Sequence, residues 1–165
     1  MGSADEDIRE GERLLNEFDY KGALARFDKA VKNAPNDPRG YFGKAEAAMG
    51  EQKASVDQIL EWYRKAVDLD KKNVFYLTTL GSFCVEVGKF NEAEEFYNRA
   101  TEIDEESAPL YYSEFAIGYY MRAPIIYEKF LDDKTMTMIK KKTLEYLLKA
   151  MDTTPAQAKQ LIDAK

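Results

Sequence analysis

The residues able to do chemistry in this chain are few, and their spacing argues against most reactions. The sequence holds no histidine, which excludes histidine-based triads and histidine metal sites together. A single cysteine, Cys84, excludes an intramolecular disulfide and a cysteine zinc site. It falls where helix packing would bury it, with no electropositive neighbour in view, so it reads as a small core residue rather than a nucleophile. The acidic clusters Asp104-Glu105-Glu106 and Asp132-Asp133 lack the spacing of a calcium loop and read as solvated charge at helix ends. No glycine-rich phosphate loop and no dinucleotide fingerprint occur. No catalytic residue, metal or cofactor is expected, and the chain does not read as an enzyme.

What remains is chemistry of contact. With 165 residues, 45% of them apolar and 33% charged, the chain has enough apolar content for a core. A net charge of −6 argues against bare nucleic acid and weakly favours a basic or apolar partner. The charge is uneven. Residues 132–165 carry a net +2 and leave −8 for the rest, and "IKKK" at Ile139–Lys142 is the one basic spot. A lysine cluster on a helix is usually a solvated face. The run "YYSEFAIGYY" at 111–120 is unusually rich in tyrosine. The acidic start "MGSADEDIRE" is unlike a signal peptide, and no run is long and apolar enough to span a bilayer. A soluble, cytoplasmic protein is the expectation.

The elements that must position these groups follow from an internal repeat. Sliding "FDYKGALARFDKAVKNA" by seventy places lays Tyr20 on Phe90, Ala23 on Ala93, Phe27 on Tyr97 and Ala30 on Ala100. Small residues at Gly11, Ala45, Gly81 and Ala116 are separated by 34, 36 and 35 residues. A second set, Ala30, Ala66, Ala100 and Ala150, is preceded three places earlier by Phe27, Tyr63, Tyr97 and Leu147. A small residue lets two helix backbones approach closely, and a large one a turn away fills the space beside the crossing. Each unit is then a helix, a turn and a helix that must stack on its neighbours to bury its apolar face.

These residues resemble the tetratricopeptide repeat, whose unit of about 34 residues carries small and aromatic residues in this order. The third unit matches best, with Leu80-Gly81, Ala93, Tyr97 and Ala100. The first offers Gly11, Ala23, Phe27, Ala30 and Pro35. The second offers Tyr41, Ala45, Tyr63 and Ala66, with Ile59 in place of an alanine and Lys71 in place of the closing proline. The fourth, with Tyr112, Phe115, Ala116, Tyr119, Leu147 and Ala150, is the most divergent. The resemblance implies an all-α fold, a right-handed α-solenoid of about four helix-turn-helix units. One domain over 1–165 is expected, with repeats near 4–37, 38–73, 74–107 and 108–152. A capping helix follows at 155–165.

Pattern and punctuation place helices near 5–17, 21–34, 38–50, 55–70, 74–87, 90–103, 108–122, 136–152 and 155–164. Asn73 and Ser107 suit N-caps, Gly88 a helix end, and Thr154-Pro155 a cap followed by a first-turn proline. The fourth unit carries an insertion around 123–134. Pro124 should stop the preceding helix, and Ile125, Ile126, Phe130 and Leu131 give "PIIYEKFLD" one apolar face. This segment is expected to fold against the tyrosine-rich helix and narrow one end of a groove, with Tyr111 and Tyr120 turned toward it or toward the groove.

The resemblance implies that first helices line a concave groove for an extended peptide or a helix of another protein. One turn apart on that face lie Asp5, Ile8, Glu12 and Leu15; Arg39, Phe42, Glu46 and Met49; Phe75, Thr78, Ser82 and Val85; and Leu110, Ser113, Ile117 and Tyr120. Of these, Phe42, Glu46, Met49, Phe75, Thr78, Ser82 and Tyr120 are the candidate binding residues. Aromatics and methionine are enriched at the centres of interfaces; apolar residues at helical spacing also mean core. A subset of the family grips terminal carboxylates with lysine, asparagine and arginine. The matching places here are Ile8, Glu12, Gly43, Phe75 and Thr79, none basic or amide, which argues against that ligand. The expected function is a non-catalytic scaffold for a partner protein, without nucleic acid or membrane. Self-association into a homo-oligomer is the alternative.

Overall fold

The computed structural model describes residues 3–121 and 132–164. Among them lie nine helices: α1 Ala4–Asn16, α2 Tyr20–Asn33, α3 Pro38–Glu51, α4 Val56–Leu69, α5 Val74–Glu86, α6 Phe90–Ile103, α7 Ala108–Met121, α8 Asp133–Ala150 and α9 Pro155–Asp163. No strand occurs among the described residues. The expected insertion helix with Pro124, Ile125, Ile126, Phe130 and Leu131 lies outside them.

Short polar residues start the helices. Ser3 Oγ accepts the Glu6 amide, Asp19 accepts that of Gly22, and Asp37 accepts that of Arg39 with Pro38 beginning α3. Ser55 and Gln58 form a reciprocal capping box at α4, and Thr154 and Gln157 another at α9. Asn73 Oδ1 accepts the Tyr76 amide at 3.1 Å, as the sequence suggested. Ser107 contributes its carbonyl, which accepts the Tyr111 amide, and donates its own N–H to Asp104 Oδ1. The eighth helix begins at Asp133 rather than near 136, because Asp132 accepts the Thr135 amide at 2.7 Å.

The turns repeat as the sequence does. Gly88 has a φ of 76°. Its amide reaches the Val85 carbonyl, and the Lys89 amide reaches that of Cys84. That bond pair satisfies the last carbonyls of α5. Between units, the residues closing α2, α4 and α6 share one backbone shape: φ and ψ are −140° and 77° at Ala34, −135° and 74° at Asp70, and −129° and 79° at Asp104. Each donates its amide to the buried alanine four places back, Ala30, Ala66 or Ala100.

The chain forms two compact units, Met1–Tyr76 and Leu77–Lys165. In the first, α1 packs on α2, α2 on α3 and α3 on α4. The Phe27 ring is buried between two glycines: a Cβ at Gly11 would stand 2.8 Å from Cζ, and one at Gly43 would overlap the ring. Tyr63, Ile59, Leu60, Ala45 and Ala66 are buried in the same unit. Asp7, also buried, is held by the Arg26 guanidinium at 3.2 Å.

In the second unit α6 packs on α7, and α7 on α8. Tyr97 is buried, and a Cβ at Gly81 would come within 2.6 Å of its ring. Tyr97 stacks on Phe115 at 4.2 Å between centroids, and Phe115 meets Tyr146 at 4.4 Å. The fourth unit's buried ring is therefore Tyr146, not Leu147, which is exposed. The reason is a partner far along the chain: the Tyr146 phenol donates to Glu94 at 2.7 Å, while Lys142 and Lys149 lie over the ring. Cys84 is buried, as its position suggested.

Candidate functional site

Helix α3 and the first turn of α5 bring three rings together within the first unit. Phe42 stacks on Tyr76 at 4.4 Å with ring planes 19° apart, and stands 5.4 Å from Phe75. On its other side Phe42 meets Tyr63 edge-on at 5.5 Å. Phe75 is 66% exposed, Phe42 half-buried and Tyr76 buried. The sequence list named Phe42 and Phe75 but missed Tyr76. Adjacent helix positions are about 100° apart, so a list taken one turn at a time passes over it. The signal available was the Asn73 cap, which fixes where α5 begins and which ring its first turn presents.

Glu46 and Met49 sit one turn apart on α3 and both meet Tyr63. The phenol donates a short hydrogen bond to Glu46 Oε1, and the Met49 sulfur lies 3.3 Å from the same oxygen. Met49 remains at the surface. Glu46 therefore gives the hydroxyl of a buried tyrosine a charged acceptor. Ile8 belongs to the core rather than to an open wall.

Beside these rings lies a cleft of about 600 Å³ with Asp37, Arg39, Asp70, Asn73 and Tyr76 in its lining. Arg39 is tied to Asp37 and Asp5, each at 2.6 Å. The Arg39 hydrogen bond holds the Asp37 carboxyl below the usual carboxylate range. Asn73 Nδ2 donates to Asp70 at 3.0 Å. Burial pushes the Tyr76 phenol up, and the Asp70, Asp37 and Glu12 carboxylates push it further, against the pull of Arg39.

The remaining candidates belong to the second unit. Thr78 is 6% exposed and Val85 is buried, so both point into packing. Ser82 is half-buried and its hydroxyl shares a short hydrogen bond with the Tyr97 phenol. Tyr120 is 71% exposed, with Leu110 and Ile117 also at the surface. Tyr112, Phe115 and Tyr119 pack against Tyr146, as the repeat pattern requires. Tyr111 instead donates to Asp104 at 2.7 Å.

The lysine-rich helix α8 divides its charges. Lys142 donates to both oxygens of Glu94, at 3.0 and 3.2 Å, and the buried Tyr146 phenol donates to the same carboxylate at 2.7 Å. Burial alone would raise the Glu94 pKa; the Tyr146 and Lys142 hydrogen bonds outweigh it and hold the group below its ordinary value. Lys140 and Lys141 face solvent. Ile139, at the head of the basic run, is core. Among the described residues no helix is long and apolar enough to cross a membrane.

Comparison with known proteins bears on the repeat. Tetratricopeptide repeat families match residues 8–74 and 76–107. A tetratricopeptide repeat-containing protein of Methanocaldococcus jannaschii is 27% identical over 126 residues, covering 73% of this chain and 20% of that protein. Small glutamine-rich tetratricopeptide repeat-containing protein 2 of Mycosarcoma maydis is 28% identical over 104 residues, covering 63% of this chain and 29% of its own length. The chain thus spans less than a third of either curated relative. Among solved structures, MamA superposes with a TM-score of 0.68 at 15% identity, covering 94% of this chain and 81% of its own. The MamA RS-1 ArsTM double mutant does so with a TM-score of 0.58 at 29% identity, covering 63% of this chain and 57% of its own. The fold class is all-α, built of successive helix-turn-helix units as the sequence pattern required. By its repeat spacing, its helix pairs and these matches, the chain belongs to the tetratricopeptide repeat family.

Proposed function

We propose that the chain is a non-catalytic scaffold that holds a peptide or helix of another protein on the face formed by Phe42, Phe75 and their neighbours. The observation that carries this reading is Phe75, a large ring left 66% exposed while packed at 5.4 Å against Phe42. An aromatic anchor already held by a second ring offers contact area at little entropic cost. Burying one such side chain is worth roughly 1.5–3 kcal/mol, so two or three anchors support a micromolar complex. Met49 is a further exposed contact in the same unit, and Tyr120 is a separate exposed ring of the second unit. Glu46 serves the reading less directly, by holding the Tyr63 ring on which Phe42 packs.

Affinity capture from lysate tests it, comparing wild type with Phe42→Ala/Phe75→Ala. Loss of one partner from the double variant, with helicity intact, supports the reading. An unchanged set of captured proteins overturns it.

Self-association is the second reading. The observation favouring it is the end of α8, where Leu144 and Leu147 on the helix and Met151 at its C-cap are all exposed. Light scattering across a concentration series separates the two, since a scaffold for a different protein stays monomeric and Leu144→Glu leaves its mass unchanged.

A further inference from the structure

The three-ring cluster stands against an excess of carboxylates. Asp37 and Asp70 line the cleft at Tyr76, and Glu12, exposed on α1, is close enough to disfavour ionisation of the Tyr76 phenol. Arg39, the cation in the cleft lining, is committed to Asp37 and Asp5. An aromatic face attracts a cation electrostatically, most of all a planar guanidinium that can stack on it. Neighbouring carboxylates then accept its N–H groups in a fork. A glutamate-rich ligand would meet like charge at the same place.

We propose that this face selects a basic segment of its partner and takes an arginine side chain stacked on Phe75, with its N–H groups toward Asp70 and Glu12. The proposal rests on the scaffold reading above and deepens it by naming the chemistry of the ligand. The aromatic trio supplies the platform, and the acid-lined cleft beside Tyr76 supplies the charge. An apolar residue next to the arginine packs on the half-buried edge of Phe42.

The test is fluorescence anisotropy with a short fluorescein-labelled peptide of serine, glycine and leucine bearing a central arginine pair. Two copies of the peptide carry citrulline or glutamate in place of the arginines. The arginine peptide should bind about tenfold more tightly than the citrulline peptide, with the glutamate peptide weakest, and added salt should weaken it. Phe75→Ala should weaken the arginine peptide. Glu12→Gln/Asp70→Asn should bring the arginine and citrulline peptides to equal affinity, with circular dichroism unchanged. Equal binding of arginine and citrulline by the wild type, or preference for glutamate, overturns the charge selection. If that binding still falls in Phe42→Ala/Phe75→Ala, the scaffold reading survives. Binding of none of the peptides overturns the inference by itself, and the capture experiment then judges the scaffold reading separately.

Discussion

Phe18 and Gly88 hold the same left-handed turn position in two different units, with φ of 62° and 76°. The bonding around them is the same. At Phe18 the amide reaches Leu15 and that of Asp19 reaches Leu14; at Gly88 the amide reaches Val85 and that of Lys89 reaches Cys84. Glycine adopts this shape without a Cβ clash, whereas an L-residue is strained there by about 1–2 kcal/mol. Phe18 is 75% exposed, and its ring meets that of Tyr20 edge-on at 6.3 Å.

Phe18→Gly should therefore stabilise the first unit by about 0.5–1 kcal/mol, since the relief of strain exceeds the loss of one exposed ring contact. Gly88→Ala should destabilise the second by about 1 kcal/mol. Urea denaturation read by circular dichroism measures both. A destabilised Phe18→Gly would show that the ring contributes more than the turn costs.

A second expectation concerns Phe27, packed against glycine on two sides. Gly43→Val should cost about 3 kcal/mol or more, because the added atoms overlap a ring that the core leaves no room to move. Phe27→Leu in the same chain should recover part of that loss. The coupling in a double-mutant cycle should exceed about 1 kcal/mol. Additive effects would mean that the ring and the glycine do not share one space.

The third concerns acid. Glu94 ties α6 to α8 through Lys142 and Tyr146, and its folded pKa lies below the unfolded value. A depressed carboxyl contributes stability that is fully present above the unfolded value, near 4.3, and is lost as pH falls through the folded one. Thermal melts of the wild type should drop as pH falls below the unfolded value and through the lower folded one. Glu94→Gln, neutral throughout, should start about 1 kcal/mol lower at pH 7 and show a smaller drop over that window. Equal drops in the two proteins would assign the acid sensitivity to other carboxylates.

Much of the architecture was legible because one physical event recurs at a fixed interval. A small residue facing a ring across two helices leaves the spacing of Gly11 to Phe27 and of Gly81 to Tyr97, and both contacts occur. The helix ends followed from local chemistry, as at Asn73 and Thr154. What escaped the reading is long-range and polar. The Glu94 contacts with Lys142 and Tyr146 cross about fifty residues of sequence, and no local pattern records them. The choice of Tyr146 over Leu147 for the core depends on those same contacts. The candidate wall divided for a related reason: Thr78 and Phe75 share a helical stripe, yet one is buried and the other exposed. Stripe membership sets direction around the axis, while depth depends on what the next helix brings.

The joints after Ala34, Asp70 and Asp104, alike in dihedral angle and in amide partner, make the polypeptide a string of interchangeable cassettes. A segment cut at two such points and spliced in again would enter and leave along familiar directions. Lengthening or shortening by whole modules is therefore a smaller step for this protein than shifting any one helix within a module.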